Sequence, residues 1–310
     1  MPELPEVEVV RAGLEPVMQG ATITRVQVKD TRSLKRHPGP PEDFIHSLTN
    51  AHVLAAVRRG KFLWFPLASN PQAGSSEAIS SLALVCHLGM SGQVLLGPPG
   101  ADFGPHLRIL LDVRTPAGVD WAVGFVDQRI FGSMAVDTLV PTSDGFPGGR
   151  GSDLALIPRS VAHIQRDPKD PHFDVSRWSK KLRSSDRGIK RALLDQNLQS
   201  GIGNIYADEA LWALSLHYET PSSRLSHKKA SALLGALQQV LDKALAEGGT
   251  SFDQQYVNVN GQSGYFAHSL EVYGQAGKSC SRCGAVIRRE PFMNRSSHRC
   301  PKCQRMPRTR

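Results

Sequence analysis

The chain has 310 residues, of which 40% are hydrophobic, and its 37 Lys and Arg outnumber its 28 Asp and Glu to give a net charge of +9. This length suffices for about two domains that each bury a core. No apolar run approaches the roughly 18 residues of a membrane span, and the N-terminus lacks the regions of a secretory signal. A membrane protein and a secreted protein are therefore not expected, and the default location is the cytoplasm.

The first eight residues, MPELPEVE, offer an unusual nucleophile. Initiator Met1 is normally removed before a proline, which leaves the secondary amine of Pro2 at the start of the mature chain. An α-amino group titrates at roughly pH 7.7–8.0, so part of it is unprotonated at neutral pH and can attack an aldehyde-like carbon. Glu3 and Glu6 are candidate proton carriers. The alternative is a frayed terminus in which Glu3, Glu6 and Glu8 form the acidic first turn of a helix.

The N-terminal region, residues 1–140, is predicted to be one helix followed by antiparallel strands. Val7, Val10, Leu14 and Val17 have helical spacing and predict a helix over 6–18. Turn residues then separate short β-like runs, which is typical of a sandwich or barrel. The predicted strands are 21–30, 51–67, 82–88, 92–97, 106–113 and 119–126, with loops at 33–41 and 97–105. Cys86 is interpreted as a buried strand residue.

A flexible linker over 141–170 is predicted from the run PTSDGFPGGRG at its start. Helical periodicity follows, with one helix around Ile189 and Leu193, a second from Ile205 to Leu214, and a long one ending near Gly248. The glycines of the turn before Asn204 allow a phosphate to approach backbone N–H groups at the next helix start. Asn204 could add an amide donor, or could be only an N-cap.

The last segment, residues 270–310, contains four cysteines in two Cys-x2-Cys pairs. This spacing predicts one structural Zn²⁺ with all four positions occupied by thiolates, because disulfides are disfavoured in a cytoplasmic protein. The intervening runs 286–289 and 292–295 predict a hairpin with Arg295 near its tip, either on a phosphate or in solvent. Ten Lys or Arg against two Glu in residues 271–310 favour a phosphate-bearing partner. The predicted ligands are Cys280, Cys283, Cys300 and Cys303.

Six features in this order resemble the formamidopyrimidine-DNA glycosylase family, which includes an endonuclease VIII-like branch. They are the N-terminal Pro-Glu, RRGK at 58–61, HLGMSG at 87–92, DQRIFG at 127–132, GIGNIYA at 201–207 and the cysteine quartet. The resemblance implies a multi-domain α+β protein. Its N-terminal helix and catalytic antiparallel β-sandwich would occupy 1–140, a helix–two-turn–helix domain with a lesion-capping loop 171–269, and a zinc-ribbon hairpin 270–310.

The same resemblance implies a base-excision repair enzyme that removes 8-oxoguanine and formamidopyrimidines and then cuts the strand. It would act as a monomer on double-stranded DNA with oxidised bases or abasic sites, in a bacterial-type cytoplasm at the nucleoid and away from membranes. Pro2 would attack C1′ to form a Schiff base, followed by β- and δ-elimination. Glu3 would act as general acid and base, and Glu6 would support the site. Lys61, on a predicted hairpin, would reach the phosphate or sugar of the lesion; without the resemblance it is one more basic residue beside a strand.

A lesion that leaves the base stack needs its space filled, and the resemblance assigns this to Met90, Arg129 and Phe131. Phe131 would wedge between bases, Met90 would fill the gap, and Arg129 would hydrogen-bond the orphaned cytosine. Core packing is the alternative for Met90 and Phe131. Ile130 stands where many members have a second basic residue, so a phosphate contact at that position is not expected.

Asn204 and Arg295 would hold phosphates flanking the lesion. Glu209 matches a family position near the lesion pocket, and could instead be a helix carboxylate near the positive end of the dipole. The family's lesion-capping loop corresponds to 248–266, where Thr250, Ser251 and Tyr256 are the candidates to touch the damaged base.

Two other functions are consistent with these motifs. One is an endonuclease VIII-type enzyme for oxidised pyrimidines, although Leu4 and the complete Met90, Arg129 and Phe131 set favour the purine branch. The other is a non-catalytic zinc-ribbon protein that binds lesion DNA without cutting it.

Overall fold

A computed structural model describes residues 2–68, 79–250, 259–260 and 265–307. The chain forms two compact units, one of residues 1–163 with 248–264 and the other of 164–247 with 265–310. This division differs from the predicted one, because the first unit includes most of the predicted linker and nearly all of the predicted capping loop. None of the helices in the described part of the chain is long and apolar enough to cross a membrane.

The first unit begins with helix α1 at Leu4–Met18, and its sheet has ten strands that pair only with antiparallel neighbours. The strands are β1 Thr22–Val28, β2 His52–Val53, β3 Val57–Arg59, β4 Phe62–Ala68, β5 Ile79–His87, β6 Gly92–Gly97, β7 Leu107–Arg114, β8 Asp120–Asp127, β9 Ser133–Pro141 and β10 Leu156–Pro158. Their order is β10-β9-β5-β4-β2-β1-β7-β8-β6, with β3 paired to β4. The sheet packs as a β-sandwich around one apolar core, as predicted.

The single strand predicted over 51–67 is wrong, because the chain reverses within it. Arg59 pairs with Phe62 across a two-residue turn, and Gly60 in that turn has a φ of 57°, which glycine adopts without steric cost. Lys61 is the second turn residue. The sequence RRGK therefore makes the hairpin on which Lys61 was expected to lie.

Strands β9 and β10 and a short helix α2 at Pro41–Leu48 were not predicted. β10 pairs with the end of β9, so the proline- and glycine-rich run from 142 to 155 connects two strands of the sheet. Gly148 lies so close to this strand that a Cβ would come within 1.9 Å of the Leu156 carbonyl oxygen. The glycines that suggested a linker instead allow the backbone at Gly148 to lie close to the backbone of β10.

The core of the first unit forms where α1 packs on the inner faces of the strands. Val7, Val10 and Leu14 of α1 are buried with Leu84 and Cys86 of β5. Cys86 is fully buried as predicted, and burial raises the pKa of its thiol to about 12. This thiol therefore packs as an apolar residue.

The described part of the second unit contains four α-helices and a two-stranded hairpin. The helices are α3 Val175–Arg183, α4 Ile189–Leu193, α5 Asn204–Ala213 and α6 His227–Ala246, and the strands are β11 Arg288–Phe292 and β12 Arg295–Arg299. Between α4 and α5 the Gln196 side chain donates to the carbonyls of Leu194 and Ile202 and accepts from the Gly201 amide, which fixes the two turns. The hairpin runs further than predicted, since Arg295 begins the second strand instead of ending it.

Candidate DNA-repair site

The start of α1 is a fixed structure. Glu3 is the N-cap residue, its carboxylate accepts from the Glu6 amide, and Glu6 Oε2 accepts from the Glu3 amide at 2.9 Å, which makes a capping box. Pro2 is buried, and Glu3 and Glu6 are 1% and 7% exposed. The N-terminal residues are therefore held in place by the helix that they begin, unlike a frayed end.

Glu6 also joins α1 to residue 250. Its Oε1 accepts from both the backbone N–H and the hydroxyl of Thr250, at 2.8 and 2.9 Å. Gly249 precedes this contact with a φ of 80°, and a Cβ there would lie 3.2 Å from the same carboxylate. One buried carboxylate thus orients both Glu3 and the beginning of the segment predicted to cap the lesion.

An ion-pair network around the buried Glu8, which was not predicted, ties α1 to the Lys61 hairpin. Glu8 is 6% exposed and accepts from Arg11 at 2.9 Å, from Arg58 at 2.6 Å and from Arg150 at 3.0 Å. Arg58 lies on β3, three residues before Lys61, and its guanidinium also donates to the Gly60 carbonyl. Removing one member of a buried pair costs about 3–5 kcal/mol, so this network fixes the helix relative to the hairpin. The sequence signal for this network was the presence of charged residues on an otherwise apolar face of α1.

The turns after β5 and β8 bring Met90 and Phe131 to one surface. Gly89 has a φ of 63°, and a Cβ there would come within 2.3 Å of the Phe131 backbone, so only glycine allows this approach. Met90 and Phe131 are 38% and 43% exposed. The Arg129 guanidinium lies 4.6 Å from the centre of the Phe131 ring. These exposures contradict the core-packing alternative.

Asp127 holds this exposed turn in shape. It is fully buried, and its carboxylate accepts from the amides of Arg129, Ile130 and Gly132 at 3.2, 3.0 and 2.7 Å and from the Ser91 hydroxyl at 2.5 Å. Asp127 was not predicted as a site residue, although Asp followed by a short loop and Gly is a turn signal.

Ile130 adopts a backbone conformation that is rare for its residue type. Its φ is 55°, which is a steric outlier for a β-branched side chain and costs on the order of 1–2 kcal/mol. Its amide donates to Asp127, and its carbonyl accepts from Lys35 Nζ at 2.7 Å. The turn is thus strained but held from both sides.

We expect Asp127→Asn to loosen the turn. The NH2 group of an asparagine side chain is a donor, so it cannot accept from the backbone N–H groups that the carboxylate now binds. Leaving one or two of these buried N–H groups unsatisfied should lower the free energy of unfolding by about 2–4 kcal/mol. Chemical denaturation of the variant measures this loss, with Asp112→Asn as a control on a half-buried strand position. An unchanged midpoint would contradict the assigned role of Asp127.

In the second unit, α5 and the hairpin bring Asn204 into contact with Ser296, the neighbour of Arg295. Gly203 is the N-cap of α5 and Asn204 is the first residue of the helix, so the alternative prediction that Asn204 is only an N-cap is wrong. Its amide donates to the Ser296 carbonyl at 2.9 Å, and its Oδ1 is buried with no hydrogen-bond partner in the described part of the chain. Arg295, the neighbour of Ser296, is exposed.

A buried Lys–Asp pair fixes the hairpin against the helices. Lys190 and Asp208 are 0% and 1% exposed and lie 2.7 Å apart. Asp208 also accepts from the Ser297 hydroxyl and the His298 amide, at 2.9 and 2.8 Å. A buried pair of this kind positions β12, and with it Arg295, relative to α5.

The carboxylate of Glu209 is hydrogen-bonded to backbone amides of the segment before the cysteine cluster. Its carboxylate accepts from the amides of Glu271, Val272 and Tyr273 at 2.9–3.0 Å, and it is 4% exposed. Burial raises the pKa of this carboxyl above its ordinary value against the opposing effect of these amides. Both oxygens thus anchor the segment that leads into the cysteine cluster.

The four predicted cysteines come together. The Sγ atoms of Cys280, Cys283, Cys300 and Cys303 all lie within 4.8 Å of one another, and Cys283 Sγ is 3.4 Å from Cys300 Sγ. Tetrahedral thiolates at about 2.3 Å from zinc would have sulfurs roughly 3.8 Å apart, so this cluster has the size that a metal ion requires. Ser251 and Tyr256 lie outside the described residues.

Comparison with known proteins agrees with these motifs. The family model for the formamidopyrimidine-DNA glycosylase N-terminal domain matches residues 1–134, and that for its H2TH domain matches 164–255. A formamidopyrimidine-DNA glycosylase of Leifsonia xyli is 57% identical over 99% of this chain and 100% of its own, and one of Kineococcus radiotolerans is 50% identical over 100% and 99%.

Solved structures give the same result. A Lactococcus lactis FPG mutant, in complex with a Fapy-dG containing DNA, has a TM-score of 0.78 at 29% identity and covers 98% of this chain and all of its own. MutM in complex with carbocyclic 8-oxo-G containing DNA has a TM-score of 0.77 at 29% identity with the same coverage. The chain belongs to the formamidopyrimidine-DNA glycosylase family.

Proposed function

We propose that this chain excises oxidised purines from double-stranded DNA and then cleaves the strand, with Pro2 as nucleophile and Glu3 as general acid and base. The observation that carries the proposal is the buried, capped start of α1, which holds these residues in one geometry. A terminus that reacts covalently must be positioned, and a reactant in fixed geometry gains several kcal/mol over a mobile one.

The proposed reaction conserves atoms and charge at each step. The Pro2 nitrogen bonds to C1′, and the glycosidic bond breaks with its electrons leaving on the base, which takes up a proton. Glu3 protonates O4′ as the sugar ring opens, which gives an iminium ion between nitrogen and C1′. Loss of the C2′ proton to a general base expels the 3′-phosphate, and loss of the C4′ proton in a second elimination expels the 5′-phosphate. Water then releases the sugar remnant and regenerates the amine.

Glu6 and Lys61 support this chemistry in the proposal. Glu6 accepts from the backbone of Glu3 and from Thr250, so it orients the general acid without touching C1′. The Lys61 ammonium, at the tip of the β3–β4 turn, would bind the phosphate or sugar of the lesion. The Glu8 and Arg58 pair would keep helix and turn in register.

Met90, Arg129 and Phe131 would occupy the space that the everted nucleotide leaves. Unstacking a base costs a few kcal/mol, and apolar side chains inserted in its place recover part of that cost. The exposure of Met90 and Phe131 next to a turn held by Asp127 supports this role, since an insertion wedge must be both accessible and rigid.

Asn204 and Arg295 would bind phosphates of the same strand, and one Zn²⁺ held by the four cysteines would stabilise the hairpin that carries Arg295. The metal supplies folding energy in this role and has no part in the reaction. Thr250, Ser251 and Tyr256 remain proposed contacts of the damaged base. The enzyme would work as a monomer in the cytoplasm.

Relative rates on two substrates test the purine assignment. Under single-turnover conditions we expect a duplex with 8-oxoguanine opposite cytosine to be cut at least about ten-fold faster than one with 5-hydroxyuracil opposite guanine. The reverse order would support an endonuclease VIII-type activity. Binding without cleavage of either duplex would support the non-catalytic alternative.

A further inference from the structure

A cavity of about 600 Å³ in the first unit is lined by residues of which none was assigned above to chemistry or DNA binding. Its floor is the outer face of β4, β5 and β9, with Phe62, Val85 and Ala135 among its apolar residues. Arg36 and Arg159 approach it from two different turns, and both are exposed. A concave apolar floor with a few convergent polar groups is the usual form of a ligand site, and this volume is in the normal range.

Chain segments that line the cavity continue into the surface formed by Met90 and Phe131. His87 lines it three residues before Met90, and Ser133 lines it two residues after Phe131. The residue next to Arg36 is Lys35, which donates to the Ile130 carbonyl. Each of the three segments that build or hold the wedge therefore continues into the wall of the cavity.

The charges of the wall favour an anion. Asp137 is the one acid among the lining residues, and its oxygens accept from the amides of Thr138 and Ser160 at 2.7 and 2.8 Å. The second of these bonds fixes the turn that presents Arg159. The Asp137 carboxylate is thus engaged by backbone donors, while Arg36 and Arg159 keep their positive charge at any physiological pH.

His87 adds a neutral polar group to the wall. The Gly89 amide donates to its Nδ1 at 3.1 Å, so the proton of the neutral ring is on Nε2. Burial, with the charges of Arg36, Lys61 and Lys35, lowers the pKa of His87 to about 4. Its ring packs against Phe62 with 4.7 Å between centroids, and the Arg36 guanidinium lies 5.8 Å from the centre of the same Phe62 ring.

We propose that this cavity binds one nucleotide of the bound DNA outside the lesion, with its phosphate between Arg36 and Arg159 and its sugar or base against the Phe62 floor. The inference rests on the proposed function in one respect, that the Met90 and Phe131 surface contacts DNA. It extends the DNA interface of the first unit to Arg36 and Arg159, which no motif indicated. Arg159 lies within the segment 141–170 that was predicted to be a linker.

Salt dependence of binding tests this site. Each phosphate contact contributes about 0.9 to the slope of log affinity against log salt. For Arg36→Ala/Arg159→Ala on a duplex with a tetrahydrofuran abasic analogue, we expect a slope smaller by about 0.9, because one phosphate contact is lost, and an affinity about ten-fold weaker at low salt. The control Arg25→Ala/Lys29→Ala removes two exposed charges outside the cavity. Equal slopes for the two double variants would overturn the proposal.

Shortening the duplex separates this site from the lesion site. Affinity is measured for a series of duplexes shortened one base pair at a time from one end. For the wild-type chain it should fall abruptly at one duplex length, and for the Arg36→Ala/Arg159→Ala variant it should show no such fall. Deoxyguanosine 5′-monophosphate is the other probe: binding to wild type but not to this variant, without any step in the duplex series, would assign the cavity to a free nucleotide and overturn the DNA assignment. Borohydride trapping on lesion duplex should be equal in the wild-type chain and in the Arg25→Ala/Lys29→Ala control, so a failure of the Pro2 chemistry would be recognised independently of the cavity.

Discussion

Retaining Met1 ahead of Pro2 abolishes strand cleavage, with an expected loss of at least about a thousand-fold in the single-turnover rate. The reason is that an amide nitrogen has no lone pair available to attack C1′, and losing the nucleophile costs more than losing a proton-transfer group. The measurement compares the Met1-retaining protein with the same preparation after methionine aminopeptidase has removed Met1. Cleavage of 8-oxoguanine duplex should return with that treatment.

Binding provides the control for this comparison. Both forms should bind a tetrahydrofuran abasic duplex within about two-fold of each other, because no phosphate contact involves the Pro2 nitrogen. Rapid cleavage by a preparation that mass spectrometry shows to be fully Met1-retaining would exclude Pro2 as the nucleophile. Lysines, above all Lys61, would then be the remaining amine candidates.

Removing the metal from the cysteine cluster should weaken DNA binding by at least about a hundred-fold. Structural zinc sites contribute roughly 10–16 kcal/mol of apparent binding energy that is coupled to local folding. Without the metal, nothing links the four thiols, which lie within 4.8 Å of one another, and the hairpin that carries Arg295 is no longer stabilised at the cysteine cluster. The measurement is the dissociation constant for lesion duplex before and after chelation, together with zinc content per chain.

Cys300→Ser tests the same site genetically. It should lower the zinc content below one per chain and weaken binding as chelation does. Cys86→Ala is the matched control, since Cys86 is buried in the core of the first unit, away from the cluster. Full affinity in metal-free protein would contradict the structural role of zinc.

Local sequence signals predicted much of this structure. The four cysteines, the glycine-containing turn before α5 and the short hairpin at Lys61 each depend on residues close together in the chain, where spacing alone fixes the geometry. The exposure of Met90 and Phe131 could not be read from their own apolar character. It was implied only by the family resemblance, and it depends physically on Gly89.

The residues that were missed act over long sequence distances. Glu8 pairs with Arg58 and Arg150, and the Asp208 carboxylate is used by Lys190 and by β12. No periodicity specifies which distant partner a buried charge will find. The run after β9 was misread for a related reason: proline and glycine mark both mobile linkers and tight strand connections, and only the pairing of Leu156–Pro158 with β9 distinguishes them.

The most direct test of the central claim is the identity of the atom that bonds to the sugar. Processed protein and 8-oxoguanine duplex should be mixed with borohydride, which reduces an iminium to a stable amine, and the adduct digested and sequenced by mass spectrometry. We predict that the sugar remnant is attached to the N-terminal peptide, on the nitrogen of Pro2. An adduct on a lysine-containing internal peptide, with an unmodified Pro2 terminus, would contradict the account.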